Sequence, residues 1–302
     1  MKKTIYLILA LMIGITGFSQ HTFKVLACKG NNAMKNNGKW NPIKAGTKLY
    51  DSNVIKVEKG GYIGLIHKDG KTLELKAEGE FTIADLTTKL ASKNSNFTSK
   101  YASFVASNMN GSETGYNHNV TGSVSRGNTQ LKFKVFAQDN FVLIKNKTAI
   151  IAWDAPVENK DVIVRIMNFH AQVVYEQEFS GFEAKLNLTE ANIKTGENYI
   201  LTIVDQKNKD IMSKQIPFTL MDEDKAAEVQ KELTEMEATL DQASVMDQLI
   251  LASFYEEKEL SVYAAESLRQ SMVQMPEVED FKMNYRNYLA TKNVSTPNTF
   301  KW

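Results

Sequence analysis

Apolar and polar positions change rhythm four times along the chain, and each change marks a different kind of element. From residue 20 to 90 the apolar residues come in short runs: Phe23 to Cys28, Val54 to Val57, Tyr62 to Ile66, Thr72 to Leu75 and Phe81 to Ile83. These runs are rich in β-branched and aromatic side chains and are separated by Asn-Asn-Gly, Gly-Gly and Lys68-Asp69-Gly70-Lys71, so they predict strands. Asp69-Gly70 supplies the positive φ of a two-residue turn, which predicts that 62–66 and 72–75 pair as a hairpin.

The next forty residues, 91–130, contain 23 Ser, Thr, Asn or Gly, too many for a packed core. Only Phe97, Tyr101, Phe104 and Val105 come near helical spacing. This segment predicts a polar linker carrying one short helix. Strand-like runs return between 131 and 221: Phe141 to Ile144, Ala149 to Trp153, Val162 to Ile166, Val173 to Tyr175, Ala184 to Leu188, Tyr199 to Val204 and Ile216 to Leu220. Seven strands at intervals near ten residues predict a two-sheet sandwich.

From 222 to 291 the period becomes helical. Asp222 is an N-cap with Glu223 and Asp224 in the first turn, where the helix dipole favours negative charge. Ala226, Val229, Leu233, Met236, Leu240 and Ala243 form one apolar seam. Further helices are expected near 245–258, 260–274 and 278–290, the last two separated by Pro276, and 292–302 is a short tail. The fold class is therefore multidomain, β then α, ending in an antiparallel helical bundle.

The first nineteen residues belong to none of these domains. Lys2-Lys3, the apolar stretch Ile5 to Ile15 and the small-residue end Gly17-Phe18-Ser19 have the three parts of a secretory signal peptide, with cleavage expected at Ser19-Gln20. Val25-Leu26-Ala27-Cys28 is a second candidate for processing, by lipidation, although five polar and aromatic residues separate it from the apolar core. Export places the mature chain in the periplasm or associated with the outer envelope, less readily fully secreted, with no stable membrane span after cleavage.

Charge and composition narrow the functional classes. Loss of Lys2 and Lys3 takes the formal charge from +1 to −1, which disfavours nucleic-acid binding. Hydrophobic content of 43% with 24% charged residues is that of ordinary globular domains. Cys28 is the only cysteine, so no intramolecular disulfide is available and packing must supply the stability. Within an alternating strand it reads as a buried thiol rather than a reactive one.

Three resemblances follow from particular residues. Trp40-x-x-Ile43-x-x-Gly46-x-x-Leu49, Ile55-Lys56-Val57, Gly60-Gly61-Tyr62-Ile63-Gly64-Leu65 and Asp69-Gly70-Lys71-Thr72-Leu73-Glu74-Leu75 resemble the extracytoplasmic FecR-like module. Ser52-Asn53 stands where that family commonly has Gly-Asp. The resemblance implies an all-β domain that binds a protein or ligand in the envelope; an export leader in place of a cytoplasmic arm and span argues against transmembrane control of a sigma factor. Ala152-Trp153-Asp154-Ala155-Pro156 and Gly196-Glu197-Asn198-Tyr199 resemble a fibronectin type III or immunoglobulin-like sandwich, with a core Trp and a corner Tyr. Leu251-Ala252-x-x-Tyr255, Ala264, Leu268 and Pro276 look like one tetratricopeptide repeat, with Gln248 and Ser271 departing from it. Since one repeat cannot bury its own face, neighbouring helices must cover it.

Chemistry is sparse. His21, His67, His118 and His170 fall in four separate segments with no metal-ligand spacing. There is no Gly-x-Ser-x-Gly elbow, P-loop or Gly-x-Gly-x-x-Gly. Asp51, Asp69, Glu74, Glu78 and Glu80 read as solvated charge rather than a glycosidase pair. Asp205 to Asp210 carries Lys207 and Lys209 where a calcium loop needs oxygens, so a hairpin turn is expected. The methionines of the helices read as core filling or as an adaptable groove.

No cofactor and no metal are expected, and no catalytic residue is assigned. The expected function is a non-enzymatic protein-interaction or scaffold module that engages other envelope proteins, with Tyr255, Tyr263 and Arg269 as the partner-binding residues. The alternative is a small-ligand or glycan sensor in which Trp40, Tyr50 and Tyr62 stack on the ligand. Oligomeric state is left open.

Overall fold

A computed structural model describes residues 21–91, Tyr101, Val105, 131–154, 161–240 and 244–294. The order is β then α. Eight strands open the chain: β1 (Phe23–Lys29), β2 (Ala33–Asn36), β3 (Lys39–Pro42), β4 (Lys48–Leu49), β5 (Val54–Val57), β6 (Tyr62–His67), β7 (Thr72–Leu75) and β8 (Gly79–Thr82). They form two four-stranded sheets, ordered β4-β1-β6-β7 and β3-β2-β5-β8. One core lies between the sheets, built from Phe23, Val25, Ile55, Ile63 and Leu65 and closed by Leu86 and Leu90 of α1 (Ile83–Ala91).

Strand β6 is buried along its whole length, because each of its faces meets a different core. Ile63 and Leu65 fill the domain's own interior, while Tyr62 and Ile66 join a second cluster with residues of the helices. A run buried on both faces has no polar alternation, which is why Tyr-Ile-Gly-Leu-Ile reads as continuously apolar. Strand β1 does the same through a bulge between Val25 and Ala27, sending Phe23 and Val25 inward and Leu26 and Ala27 towards the helices.

The β6–β7 hairpin forms where Asp69-Gly70 predicts it, but with a different turn. The Gly70 N–H donates to His67 O and the His67 N–H to Lys71 O, both at 2.8 Å, and Gly70 has φ +88°. This is a three-residue loop closed by a left-handed glycine, rather than the expected two-residue turn. The expected strand over 81–83 also ends early, since Ile83 starts α1.

The middle segment contains β9 (Leu131–Val135), β10 (Phe141–Leu143), β11 (Ala149–Asp154), β12 (Asp161–Asn168), β13 (Val173–Ser180), β14 (Glu183–Leu186), β15 (Asn198–Asp205), β16 (Met212–Ser213) and β17 (Ile216–Leu220). All seven expected strands are present, and β9 and β16 are additional. Their hydrogen-bonded path runs β10-β17-β15-β16-β9-β11-β14, with β12 on β15 and β13 on β12, and wraps sandwich-like around Trp153, Phe141 and Phe218. The Phe141 and Phe218 rings stack 5.2 Å apart. The Tyr199 hydroxyl donates to Lys194 O and accepts the Lys194 N–H, both at 3.0 Å, pinning a corner. Asp205 Oδ1 accepts the N–H groups of Lys207 and Asn208, so 205–211 is the expected hairpin turn.

Four helices follow: α2 (Glu223–Glu237), α3 (Val245–Glu257), α4 (Ser261–Gln274) and α5 (Glu279–Thr291). Asp222 caps α2 by accepting the Asp224 N–H at 3.1 Å, as its position predicts. The seam residues Val229, Leu233 and Met236 are buried against the sandwich core. Among the described residues no helix is long and apolar enough to cross a membrane.

Within the expected linker, Tyr101 and Val105 are helical and buried. Tyr101 packs edge-on to Phe254 of α3 at 5.7 Å, and Val105 joins the cluster shared with Leu26 and Phe281. The other positions of that expected helix, Phe97 and Phe104, lie outside the described residues, as do residues 1–20 and the tail from 295.

Candidate functional site

The helix pair α3–α4 is where partner-binding residues were expected, and it is enclosed on both sides. Tyr255 and Tyr263 are each 5% exposed and Arg269 is 7% exposed, so the three serve internal contacts rather than a free face. The Tyr255 and Tyr263 rings lie 5.5 Å apart, and Lys147 from the β10–β11 loop places its ammonium 5.5 and 5.9 Å from their centroids. The Tyr263 hydroxyl accepts the Ile144 N–H at 3.1 Å and reaches Lys147 O at 3.3 Å. Burial raises both phenols, with Glu237 adding to the effect at Tyr255, while burial pulls the Lys147 ammonium below the usual lysine range against the opposing field of Glu237. These groups staple the sandwich to the helices.

Arg269 performs a similar task elsewhere on α4. Its Nε and Nη2 donate to the two oxygens of Glu266 at 2.7 and 2.9 Å, and Nη1 lies 3.3 Å from Glu183 of β14. Burial disfavours the charged guanidinium, but the two carboxylates outweigh it and hold the group above its ordinary value.

The first domain meets the helices through a polar rim around the shared apolar cluster. Glu74 on β7 accepts the Met246 N–H at 2.9 Å and the Ser244 hydroxyl at 3.2 Å, so its carboxylate sits at the positive end of α3. The Thr72 hydroxyl donates to Asp247, and Asp280 at the start of α5 accepts the Cys28 N–H at 2.9 Å. Burial raises the Asp280 carboxyl, which the Cys28 N–H opposes. Inside this rim Tyr62 crosses Phe281 edge-on at 6.0 Å and is 1% exposed. Its phenol is raised by burial and by the nearby Glu74 carboxylate. Tyr62 is therefore an interface residue, turned away from any stacking surface. Cys28 is half-buried with its sulfur 3.6 Å from Ile43 O, and burial followed by Asp280 raises its thiol.

Trp40 and Tyr50 remain at the surface, 41% and 36% exposed. Their backbones are linked through Lys35 and Asn53 beside the second sheet. Trp40 pairs across β3 and β2 with Lys35, whose ammonium stands 5.7 Å from the indole centroid. Lys35 O accepts the Asn53 side-chain amide at 3.4 Å, and Asn53 Oδ1 accepts the Tyr50 N–H at 2.9 Å. The β2–β3 hairpin was missed in the strand pattern, because its strands carry mainly Lys and Asn. Its signal was Asn37-Gly38, which adopt φ +49° and +80° as a two-residue hairpin turn requires.

The histidines stay apart: His67 is buried, His21 half-buried, His170 exposed and His118 outside the described residues. A small cavity bordered by Phe136, Ser261, Tyr288 and Lys292 measures about 10 Å³. That is room for one water and far below a substrate pocket. No protein-family model matches the sequence, and no curated protein matches it either.

Proposed function

We propose that the chain is a non-enzymatic, exported protein of the cell envelope that acts as a protein-interaction scaffold. The β-then-α order, the tyrosine corner at Tyr199 and the buried core of the first domain agree with the FecR-like, fibronectin-like and tetratricopeptide-like resemblances of the sequence. Interlocked segments suit presentation of a surface more than turnover, since the helices spend their aromatic and charged faces on holding two β domains.

The observation that carries this reading is the tip of the β12–β13 hairpin, where Phe169 and Val173 are 65% and 51% exposed. Large apolar side chains exposed at a hairpin tip are covered in a complex more favourably than in water. A photo-crosslinking residue at position 169 in intact cells tests it. Capture of another envelope protein at 169, absent from a control site on α5 at Met283, is expected; no capture in cells that export the protein normally sinks the reading.

A second reading, a ligand or glycan sensor, is favoured by the exposed Trp40 and Tyr50 beside Lys35. It uses a different face and is compatible with the first.

A further inference from the structure

The outer face of the second sheet can be read from its register. Trp40, Lys35, Val54 and Thr82 lie side by side in one row across β3, β2, β5 and β8, and Pro42, Ala33, Lys56 and Glu80 form the next. Ile55 and Phe81, in the intervening row, point into the core. Paired residues share a face, so the two rows containing Trp40 and Pro42 face outward. Trp40, Pro42, Lys35 and Lys56 are exposed there.

Charge is divided unevenly along the chain. Residues 21–91 carry 12 Lys against 7 Asp and Glu, a net +5, whereas residues 222–291 carry 16 acidic against 6 basic residues, a net −10. A chain that is −1 in its mature form thus presents one positive end. In these two rows the acidic residue is Glu80 on the far edge strand β8, in register with Lys56, and the row of Trp40 and Lys35 carries no acidic residue.

We infer that this face is a binding site for an acidic polysaccharide, with a sugar ring laid on the Trp40 indole and its carboxylates paired with Lys35 and Lys56. The inference rests on the second reading above and supplies its ligand class. Lys35 already stands against the indole, which orders the ring and leaves an ammonium beside any stacked sugar.

The edge geometry separates a saccharide from an extended peptide. In the two-residue hairpin, Asn36 and Lys39 form the hydrogen-bonded pair next to the turn, so Trp40 and Pro42 are non-hydrogen-bonded positions whose main-chain groups point to the open edge. Pro42 has no N–H, so an added strand would find only the Trp40 pair and one further carbonyl. A polysaccharide needs neither; it uses the indole face and the lysine side chains.

The test uses the full mature chain in affinity gels containing polygalacturonate or alginate, with neutral dextran and poly-L-glutamate as comparisons. Trp40→Ala and the double variant Lys35→Gln/Lys56→Gln alter exposed side chains, and an unchanged melting temperature verifies that they fold. Retardation by the acidic polysaccharides, weakened at least tenfold in both variants, with none by dextran, is expected. Equal retardation by dextran keeps the saccharide reading and overturns the acidic class. Retardation by poly-L-glutamate that matches the acidic polysaccharides and survives Trp40→Ala assigns the face to acidic peptides. No retardation by any polysaccharide overturns the inference and leaves the second reading only its small-ligand form.

Discussion

Replacing Glu74 with alanine should loosen the first domain from the helices without touching either apolar core. The carboxylate is 11% exposed and holds the Met246 N–H at 2.9 Å and the Ser244 hydroxyl at 3.2 Å. A hydrogen bond to a charged group contributes about 1.5–3 kcal/mol, and stranding the Met246 N–H costs a further fraction of its desolvation. Lys76, 54% exposed at 2.6 Å from the same carboxylate, adds about 0–1 kcal/mol. Ser244 keeps its own role as N-cap of α3, since its hydroxyl still accepts the Asp247 N–H. The net loss expected for Glu74→Ala is about 3 kcal/mol. Glu74→Gln retains an oxygen for Met246 and loses chiefly the charge at the helix N-terminus, about 1 kcal/mol. Urea unfolding of the two variants measures both values, and hydrogen exchange over residues 62–67 and 244–250 should quicken in the alanine variant. A loss below 0.5 kcal/mol for Glu74→Ala, or equal losses for the two substitutions, would show that the carboxylate does not join the domains.

Other substitutions probe the same architecture. Tyr263→Phe keeps the ring beside Tyr255 and Lys147 but leaves the Ile144 N–H without its acceptor, so a loss of about 1–2 kcal/mol is expected in denaturant titration, against none for Tyr50→Phe at the surface. Gly64→Val should cost about 1–3 kcal/mol by overpacking, because a Cβ there falls 2.4 Å from Met246 Sδ and 3.1 Å from the Tyr62 hydroxyl; a neutral result would mean the β6–α3 contact is looser than it stands. His67 is buried with its pKa lowered, mainly by desolvation, so its protons bind the unfolded chain more tightly. Its contribution is present above the unfolded value near 6.5 and is lost as pH falls through that value, with a slope no steeper than about 1.4 kcal/mol per pH unit. Urea midpoints between pH 7.5 and 5.5 should fall, and His67→Gln should flatten part of that fall, leaving the share of His21, which is also lowered by burial.

The local elements were legible because their signals are local. Asp222 and Pro276 bounded helices, Asp69-Gly70 marked a hairpin, and the seven runs of the middle segment each became a strand. Helix α1 was missed although Ile83, Leu86 and Leu90 repeat at helical spacing, because Phe81-Thr82-Ile83 also reads as a strand and the run is short. The roles of Tyr255, Tyr263, Arg269 and Tyr62 were not legible. An apolar or aromatic stripe on a helix or strand records that something covers it, but not whether the cover is a partner or the chain's own distant segment. Glu74 with Met246 and Cys28 with Asp280 are separated by 172 and 252 residues, and no periodicity links such pairs. Of the candidate stacking residues, Trp40 and Tyr50 stay exposed, and their backbones are linked through Lys35 and Asn53.

The helices weld the two β domains into one body, through the cluster shared by Leu26, Tyr62, Ala152, Met246 and Phe281. Differential scanning calorimetry of residues 21–302 compares the calorimetric and van't Hoff enthalpies. A protein welded in this way unfolds in a single transition with a ratio near one. Two or three resolved transitions, or a single broad one with a ratio near two, would contradict it.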